Sequence, residues 1–498
     1  MTALLRANLP VLVVIAPLFI AFILTPLARR IRLVETLAFL ATVLGLGAAG
    51  HLATVVFARR GSPFIYQLGG WPPPWGIELV AGNLGVIFAL VVTGVSVPVV
   101  LFARGNLTAE VGDTGRVTRF YVLYLLLVGA LAGMAVTNDL FNIYVLVEVV
   151  TLSCCGLVSA RRHPRAAEAA FTYLILATLG SAFVLGGIGL IYMLTGHLNM
   201  GFAGQELGRV WPDYPHTVLL AVSFVIIGFG VKAAVFPLHV WLPDAHATAP
   251  SPASAILSGL AVKGYLLCLL KFLYGVFGGV LLRELAVHRI LTLLGVAGII
   301  AGSLLALTQE ELKRRLAYST VAQVGYLVLG GGLLNATGLT GALFYLASHA
   351  VIKATLFLAA GAIQAATGKS RIRELAGVGR KMPLTMAAFT IGSCGLIGLP
   401  LFFGFIGKWY LLVGSLEAGM ILPVVAILAG SVLCAAYLLP VIRTAYFRPA
   451  PAVAWRDPGR PQKLALLLLA TAVVVLGVRP GPFLELARKA AAELMAFV

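Results

Sequence analysis

Charged residues and cysteines are scarce in this chain of 498 residues. Only 11% of the residues are Asp, Glu, Lys or Arg and 60% are apolar, whereas soluble domains carry about 25% charged residues. A soluble enzyme would need an implausibly thick core, and disorder is excluded because it requires low hydrophobicity. The five cysteines lie in apolar stretches without metal-ligand spacing, so we interpret them as packing residues: Cys154, Cys155, Cys268, Cys394 and Cys434.

Acidic residues are also few, at 18 against 36 basic ones, which gives a net charge of +18. Such a charge suggests nucleic acid, but at this hydrophobicity basic loops on one side of a membrane are the favoured interpretation. The apolar runs are continuous rather than alternating, which argues against a β-barrel. No small-residue cleavage pattern follows the first run, so we expect a retained span. The composition therefore predicts an all-α polytopic membrane protein.

Runs of about 20 apolar residues mark candidate membrane spans. Fourteen are found, numbered here as spans 1 to 14: Leu9–Leu27, Leu33–Phe57, Leu79–Phe102, Phe120–Val136, Leu140–Val158, Ala169–Leu194, Val218–Val240, Ala253–Phe277, Ile290–Leu307, Leu316–Leu334, Leu339–Ala362, Leu384–Val413, Ile421–Tyr446 and Leu464–Val478. The tail 482–498 has apolar residues at helical spacing and is expected to lie along the membrane interface.

The distribution of basic residues supports this count. Connections after odd-numbered spans hold 21 Lys and Arg residues, whereas the termini and the other connections hold nine. Cytoplasmic loops carry the excess of Lys and Arg. We therefore expect a multi-pass protein of a bacterial or archaeal-type plasma membrane with both termini on the non-cytoplasmic side.

Six further basic residues lie within the apolar runs: Lys232, Lys263, Lys271, Lys353, Lys408 and Arg443. Lys271 and Arg443 are near span ends, where snorkelling to water is the favoured interpretation. The other four lie deep, as does one acid, Glu148, while His349 precedes Lys353 by one helical turn. Each deep charge costs about 2.5–3.5 kcal/mol on insertion scales. With one acid for four amines, some lysines are neutral or bridged by water, as a proton relay requires.

Two spans contain proline breaks. Span 7 has Pro237 five residues after Lys232, and span 12 has Pro400 eight residues before Lys408. Freed backbone groups in a bilayer must face protein or a water-filled cavity. Span 7 is fourth in the set 4–8 and span 12 is fourth in the set 9–13, which predicts two inverted five-helix repeats, although Glu148 and Lys263 lack charged counterparts. The predicted divisions are residues 1–119, 120–277, 287–447 and 448–498, the last holding span 14 and the tail.

Several segments together resemble the antiporter-like subunits of Mrp-type cation/proton antiporters, respiratory complex I and group 4 membrane-bound hydrogenases. The matching segments are 139–148, which ends in Glu148; 231–252, from Val-Lys232 through Phe-Pro-Leu-His-Val-Trp-Leu-Pro-Asp-Ala-His; Lys263-Gly-Tyr; 312–320; His349-Ala-Val-Ile-Lys353; and Gly398-Leu-Pro400 leading to Lys408. The Asp-Leu-Phe-Asn and His-Ala-Val-Ile-Lys forms look closest to the Mrp D subunit. The segment after Lys232 also suits complex I and hydrogenase members.

The resemblance implies a role for each matching residue. It assigns a Glu148–Lys232 pair, a central Lys263 that passes protons onward, a His349/Lys353 link between the halves, and a terminal Lys408 that opens to the opposite side. Some family members carry glutamate at the position of Lys408. Three residues after the first half of span 7 are candidates for a proton access path, with a structural role equally favoured: His239, Asp244 and His246.

The resemblance therefore implies a proton-translocating, Mrp D-like subunit of a multisubunit monovalent cation (Na⁺)/proton antiporter. It is expected to act as a secondary transporter without a cofactor, metal or redox centre of its own, and its partners are other membrane subunits, protons, Na⁺ and lipid, not nucleic acid. The alternatives are a proton-pumping subunit of complex I or of a group 4 hydrogenase, or a passive scaffold of such a complex. An intramembrane enzyme is disfavoured because the loop acids form no evident catalytic pair.

Overall fold

The computed structural model describes residues 7–59, 62–104, 107–161, 164–450 and 455–496. Helices dominate, as predicted. The spans are Leu9–Leu24, Ile31–Ala58, Asn83–Ala103, Thr114–Val136, Leu140–Val158, Pro164–Thr195, Pro215–Lys232 with Leu242–Thr248, Ser251–Glu284, Val287–Thr308, Leu312–Gly332, Ala336–Thr367, Pro383–Ile397 with Phe403–Glu417, Ile421–Phe447 and Arg460–Val478. The prediction of an all-α polytopic fold is confirmed.

Twelve of the described helices are long and apolar enough to cross a membrane. The two other predicted spans differ for visible reasons. The helix of span 10, Leu312–Gly332, begins with three basic residues that the prediction placed in the preceding connection, and it carries several hydroxyl and amide side chains. Span 12 is divided into two helices of 15 residues each. The expected breaks are thus present, because span 7 stops at Lys232 and resumes at Leu242. The two five-helix repeats remain a prediction.

Contacts between loops separate the molecule into two faces. We call the face that holds the connections after odd-numbered spans the odd face. There, Glu110 accepts hydrogen bonds from Arg161 at 3.1 Å and from the Ser251 N–H at 2.8 Å, and Arg373 pairs with Glu310 at 3.6 Å. The contacts of Glu110 join the connections after spans 3, 5 and 7, and the Arg373–Glu310 pair joins those after spans 9 and 11, as the predicted topology requires.

The opposite, even face holds the connections after even-numbered spans. The carboxylate of Glu78 accepts hydrogen bonds from Asn138 at 2.7 Å and from Asn199 at 2.8 Å. Tyr66 donates to Asn8 at 2.8 Å, which places the described N-terminal residues on this face. Alternation of the two faces agrees with the predicted span numbering. Three of the basic residues used for orientation, Arg6, Arg60 and Arg162, lie outside the described residues.

A β-hairpin and several short helices lie at the two faces. A hairpin of strands β1 (Phe64–Gln67) and β2 (Glu78–Ala81), paired antiparallel with Phe64 opposite Ala81, lies on the even face and was not anticipated. The remaining short helices are Thr25–Leu27, Leu68–Gly70, Leu107–Val111, Met200–Val210, Ile372–Glu374 and Val378–Lys381. The tail forms the helix Gly481–Met495, called here the C-terminal helix, which packs on spans 3 and 11. All five cysteines are free thiols.

Candidate functional site

The only deeply placed acid of the sequence analysis pairs with the lysine of broken span 7. Lys232 has no exposed surface, and its Nζ lies 3.2 Å from Oε1 of Glu148. Ser181 of span 6 donates to the same carboxylate oxygen. The Glu148 side chain keeps 29% of its surface exposed. The ion pair therefore joins an accessible carboxylate to an amine that is sealed inside the protein.

Lys232 also faces the centre of the first half of the chain. Its Nζ donates to Oγ1 of Thr151 at 2.9 Å, and that hydroxyl lies 3.1 Å from the phenol of Tyr265 in span 8. The Tyr265 ring centroid is 5.7 Å from Nζ, within cation–π range. Thr151 follows Glu148 by three residues, so one helix face presents both partners to the amine. These hydroxyls continue the polar contacts from span 5 towards span 8.

Trp241, directly before the second half of span 7, stabilises the break in that span. The indole Nε1 of Trp241 donates to the Val231 carbonyl at 2.8 Å, one of the carbonyls at the end of the first half. The Trp241 ring stacks on Tyr173 with centroids 4.0 Å apart. Ala234, inside the break, has φ +54°, which costs about 1–2 kcal/mol for a residue with a side chain. Packing of Trp241 thus maintains a backbone shape that is unfavourable in isolation.

We expect Trp241→Phe to destabilise the chain by about 0.5–1.5 kcal/mol, because a ring remains but the hydrogen bond to Val231 is lost. Denaturant unfolding of the purified chain in detergent measures this change. Trp75→Phe is the matched control, since Trp75 is 85% exposed. Equal effects of the two substitutions would contradict this role for Trp241.

Lys263 lies in span 8 beside an irregular turn. Residues Leu257–Ala261 form a π-helical segment, a feature that often marks functional sites. The Lys263 amine donates to the Ser258 carbonyl within this segment, and the Ser258 hydroxyl lies 2.8 Å from that of Thr320 in span 10. Lys263 has no exposed surface and no ion-pair partner among the described residues. It is a buried amine whose surroundings supply only neutral oxygens.

Lys353 of span 11 is held in the same way. Its Nζ lies 2.6 Å from the Leu316 carbonyl and 2.6 Å from the Ser319 hydroxyl, both in span 10. The ring centroid of Phe357 is 5.6 Å from Nζ. Span 10 therefore supplies the polar partners of Lys353 directly. The next residue after Ser319, Thr320, contacts Ser258, whose carbonyl accepts from Lys263.

His349 lies one turn before Lys353 and is fully buried. Its ring stacks on Tyr345 with centroids 5.9 Å apart, and neither ring nitrogen has a hydrogen-bond partner among the described residues. Tyr345 donates to Gln323 of span 10. The charges of three lysines act on His349: Lys263, Lys353 and Lys408. The histidine thus lies between the central and the terminal lysines.

Lys408 lies just after the break in span 12. Its Nζ donates to the carbonyls of Leu396 at 2.8 Å and Ile397 at 3.1 Å, at the end of the first half of the span. Cations are favoured at such helix ends because the last carbonyls carry partial negative charge. The ring centroid of Tyr326 is 4.7 Å from Nζ. Leu401, inside the break, has φ +72°, so both broken spans contain a strained residue other than glycine.

The three candidate access residues differ in burial and in position. His246 is fully buried and stacks on Phe357 with centroids 4.8 Å apart, so the Phe357 ring contacts both His246 and Lys353. His239 is 9% exposed and stacks on Phe236. Asp244 is exposed on the odd face, where it pairs with Arg314 at 3.1 Å. Of these three side chains, only His246 shares a contact residue, Phe357, with a buried lysine.

A cavity of about 1160 Å³ opens on the odd face above His246. Its lining is polar and includes Glu110, Asp244 and Lys313. Lys313 is buried, donates to the Ala249 carbonyl at 3.3 Å, and interacts electrostatically with His246. The cavity therefore reaches a buried lysine that lies within electrostatic range of a buried histidine.

Sequence reasoning identified the charged members of the site but not their neutral partners. Several of these are hydroxyl or amide side chains within the spans: Thr151, Ser181, Tyr265, Ser258, Ser319, Thr320 and Gln323. The weak apolarity of span 10 was the available signal, since its polar residues face the lysines of its neighbours. Among the described residues, no group of three or more His, Cys, Asp or Glu side chains could hold a metal ion.

Residues 137–434 match the family model described as NADH:quinone oxidoreductase/Mrp antiporter, TM. The chain is 39% identical to NADH-quinone oxidoreductase subunit N of Desulforudis audaxviator (strain MP104C) over 95% of this chain and 96% of that protein. It is similar to a chain of the membrane-bound sulfane sulfur reductase, an archaeal respiratory membrane complex, at 31% identity and TM-score 0.91 with 98% of both chains covered. A chain of the Mrp complex from Dietzia sp. DQ12-45-1b is 27% identical with TM-score 0.88, covering 99% of this chain and 98% of that one.

Proposed function

Because the chain belongs to the NADH:quinone oxidoreductase/Mrp antiporter transmembrane family, we propose that it moves protons across the membrane as one subunit of a multisubunit complex. The observation that carries this proposal is the burial of four lysines in the middle of the spans: Lys232, Lys263, Lys353 and Lys408. Among the described residues, only Lys232 of these four has an ion-pair partner, Glu148. Four permanent ammonium groups there would be costly at about 2.5–3.5 kcal/mol each. An amine that can lose its proton avoids most of that cost, and the same property allows it to carry a proton along the route.

The route runs along the middle of the membrane through Glu148, Lys232, Lys263, His349 with Lys353, and Lys408. Protons enter from the odd face, where the polar cavity, Lys313 and His246 lead to Lys263 and Lys353. When the Glu148–Lys232 pair weakens, Lys232 releases its proton towards Lys263. Repulsion between neighbouring ammonium groups then favours loss of a proton from the next amine in the route. This is a shift in populations of coupled charge states, without covalent chemistry.

The first candidate complex is a monovalent cation (Na⁺)/proton antiporter, with this chain in the position of the D subunit. Similarity to a chain of the Mrp complex over nearly the whole length supports it. The second candidate is a redox-driven pump, supported by the 39% identity to a subunit named for quinone reduction. In both cases the odd face is the cytoplasmic one, on the strength of its basic residues.

The two candidates separate in one experiment on inside-out membrane vesicles that contain the complex. For an antiporter, adding NaCl to respiring vesicles releases the pH gradient reported by a fluorescent dye, and deletion of this chain removes that response. Proton uptake that needs a reductant and not Na⁺ identifies the redox-driven pump. If deletion changes neither response, the proposal of proton translocation is wrong.

A further inference from the structure

A second cavity, of about 860 Å³, opens on the even face, away from the route described above. Its walls are mostly apolar, but a lysine of span 8, Lys271, and a glutamate of the C-terminal helix, Glu493, both line it. The two side chains interact electrostatically. The cavity is large enough for many water molecules, each of which needs about 30 Å³.

Glu493 occupies a position that is built for a carboxylate. Its Oε2 accepts hydrogen bonds from the Asn83 N–H at 2.6 Å and the Leu84 N–H at 3.4 Å, at the beginning of span 3. The neighbouring residue is Gly82, where an added Cβ would lie 2.1 Å from the carboxylate. Burial raises the pKa of Glu493, while these hydrogen bonds and the charge of Lys271 act in the opposite direction.

Lys271 lies near the end of span 8, where it is half-buried and lines the cavity. Its amine donates to the carbonyls of Thr137 and Met134 at the end of span 4, the latter at 3.4 Å. These carbonyls keep the amine at the cavity wall, where Glu493 also lies. Lys271 is in the same span as Lys263, eight residues away, or about 12 Å along a helix.

We infer that Lys271 and Glu493 form a proton-exchange site through which the even face communicates with the central lysine. In one direction, the Lys271 ammonium gives a proton to water in the cavity, this water passes a proton to a Glu493 oxygen, and the resulting carboxylic acid releases it to water at the opening of the cavity. The return step protonates Glu493 from water and then the Lys271 amine. This inference rests on the proposed function, since it gives the route of Lys263 a second opening opposite the odd-face cavity.

The test uses the full chain in its native complex. Glu493→Gln and Lys271→Gln each lower proton transport in vesicles to about a tenth or less of the wild-type rate. Glu485→Gln is the matched control in the same helix, since Glu485 is exposed and pairs with Lys489 at 3.6 Å. Gly82→Ala, which displaces the carboxylate without removing it, lowers transport as Glu493→Gln does.

A second measurement separates proton exchange from a merely structural role. Infrared difference spectra of the purified chain, recorded across a pH titration, show a carboxylic acid C=O band that disappears in Glu493→Gln and remains in Glu485→Gln. A band unaffected by Glu493→Gln overturns the inference, as does normal transport by that variant. If Lys263→Ala abolishes transport while Glu493→Gln does not, only this inference fails; if both transport normally, the proposed function fails too.

Discussion

Replacing Lys263 by alanine is expected to lower proton transport to about a tenth of the wild-type rate or less, a rise of about 1.4 kcal/mol or more in the barrier. Lys263 is the amine between the Glu148–Lys232 pair and the His349–Lys353 link, and a methyl group cannot carry a proton across that interval. No carboxylate pairs with Lys263 among the described residues, so its removal leaves no buried charge without a partner. The amount of assembled complex should therefore stay near normal.

The transport rate is measured in vesicles by dye quenching and normalised to the amount of complex. Lys381→Ala is the control, because Lys381 is an exposed lysine on the odd face that does not line the cavity there. Lys263→Met, which fills more of the space than alanine, serves if Lys263→Ala reduces assembly. Normal transport by a well-assembled Lys263→Met complex would remove Lys263 from the route.

The second large effect is expected from the Glu148–Lys232 pair. Glu148→Gln and Lys232→Met should each lower transport about tenfold or more, because the first loses the carboxylate that modulates Lys232 and the second loses the proton carrier. Each should also destabilise the chain, because Glu148→Gln leaves the buried Lys232 without its carboxylate and Lys232→Met leaves the partly exposed Glu148 without its amine. The double variant should be less unstable than the sum of the two, with a coupling of about 0.5–3 kcal/mol.

Unfolding of the four purified chains in detergent gives this coupling, and vesicle transport gives the functional effect. The surface pair Glu485–Lys489 provides a control cycle, for which a coupling of about 0.5 kcal/mol or less is expected. Additive stabilities at the buried pair would show that the two groups do not interact. A scaffold without transport predicts loss of assembly in these variants and unchanged transport per assembled complex.

Much of the fold could be predicted from the hydropathy of the chain. Long apolar runs fixed the order of the spans, and the bias of Lys and Arg predicted which connections share a face, as the contacts of Glu110 confirm. Span ends were less accurate: span 6 begins at Pro164 rather than Ala169, because amphipathic turns at the interface extend the helix beyond its apolar part. Strand β1 lay in a loop rich in Gly and Pro that gave no strand signal, and residues 79–81 of strand β2 had been included in the predicted span 3, whose helix begins at Asn83.

The charged residues of the site were predictable, because a charge in an apolar span costs free energy and is therefore rare in such a sequence. Lys232, Lys263, Lys353 and Lys408 are conspicuous in an apolar sequence, and Pro237 and Pro400 marked the breaks. Hydroxyl partners such as Thr151 and Ser319 were not predictable, because serine and threonine are common in membrane helices and only packing selects those that face an amine. Glu493 was hidden for another reason: it lies in an ordinary amphipathic tail, and its role depends on contact with span 3, 410 residues away.

The most direct measurement is proton transport by a Lys263→Arg complex. Arginine keeps the positive charge and most of the side-chain length, but it does not give up its proton in proteins. If Lys263 works by gaining and losing a proton, this variant assembles and its transport falls as far as that of Lys263→Ala. Transport at the wild-type rate would mean that a fixed charge is sufficient at this position, which contradicts a proton-carrying lysine.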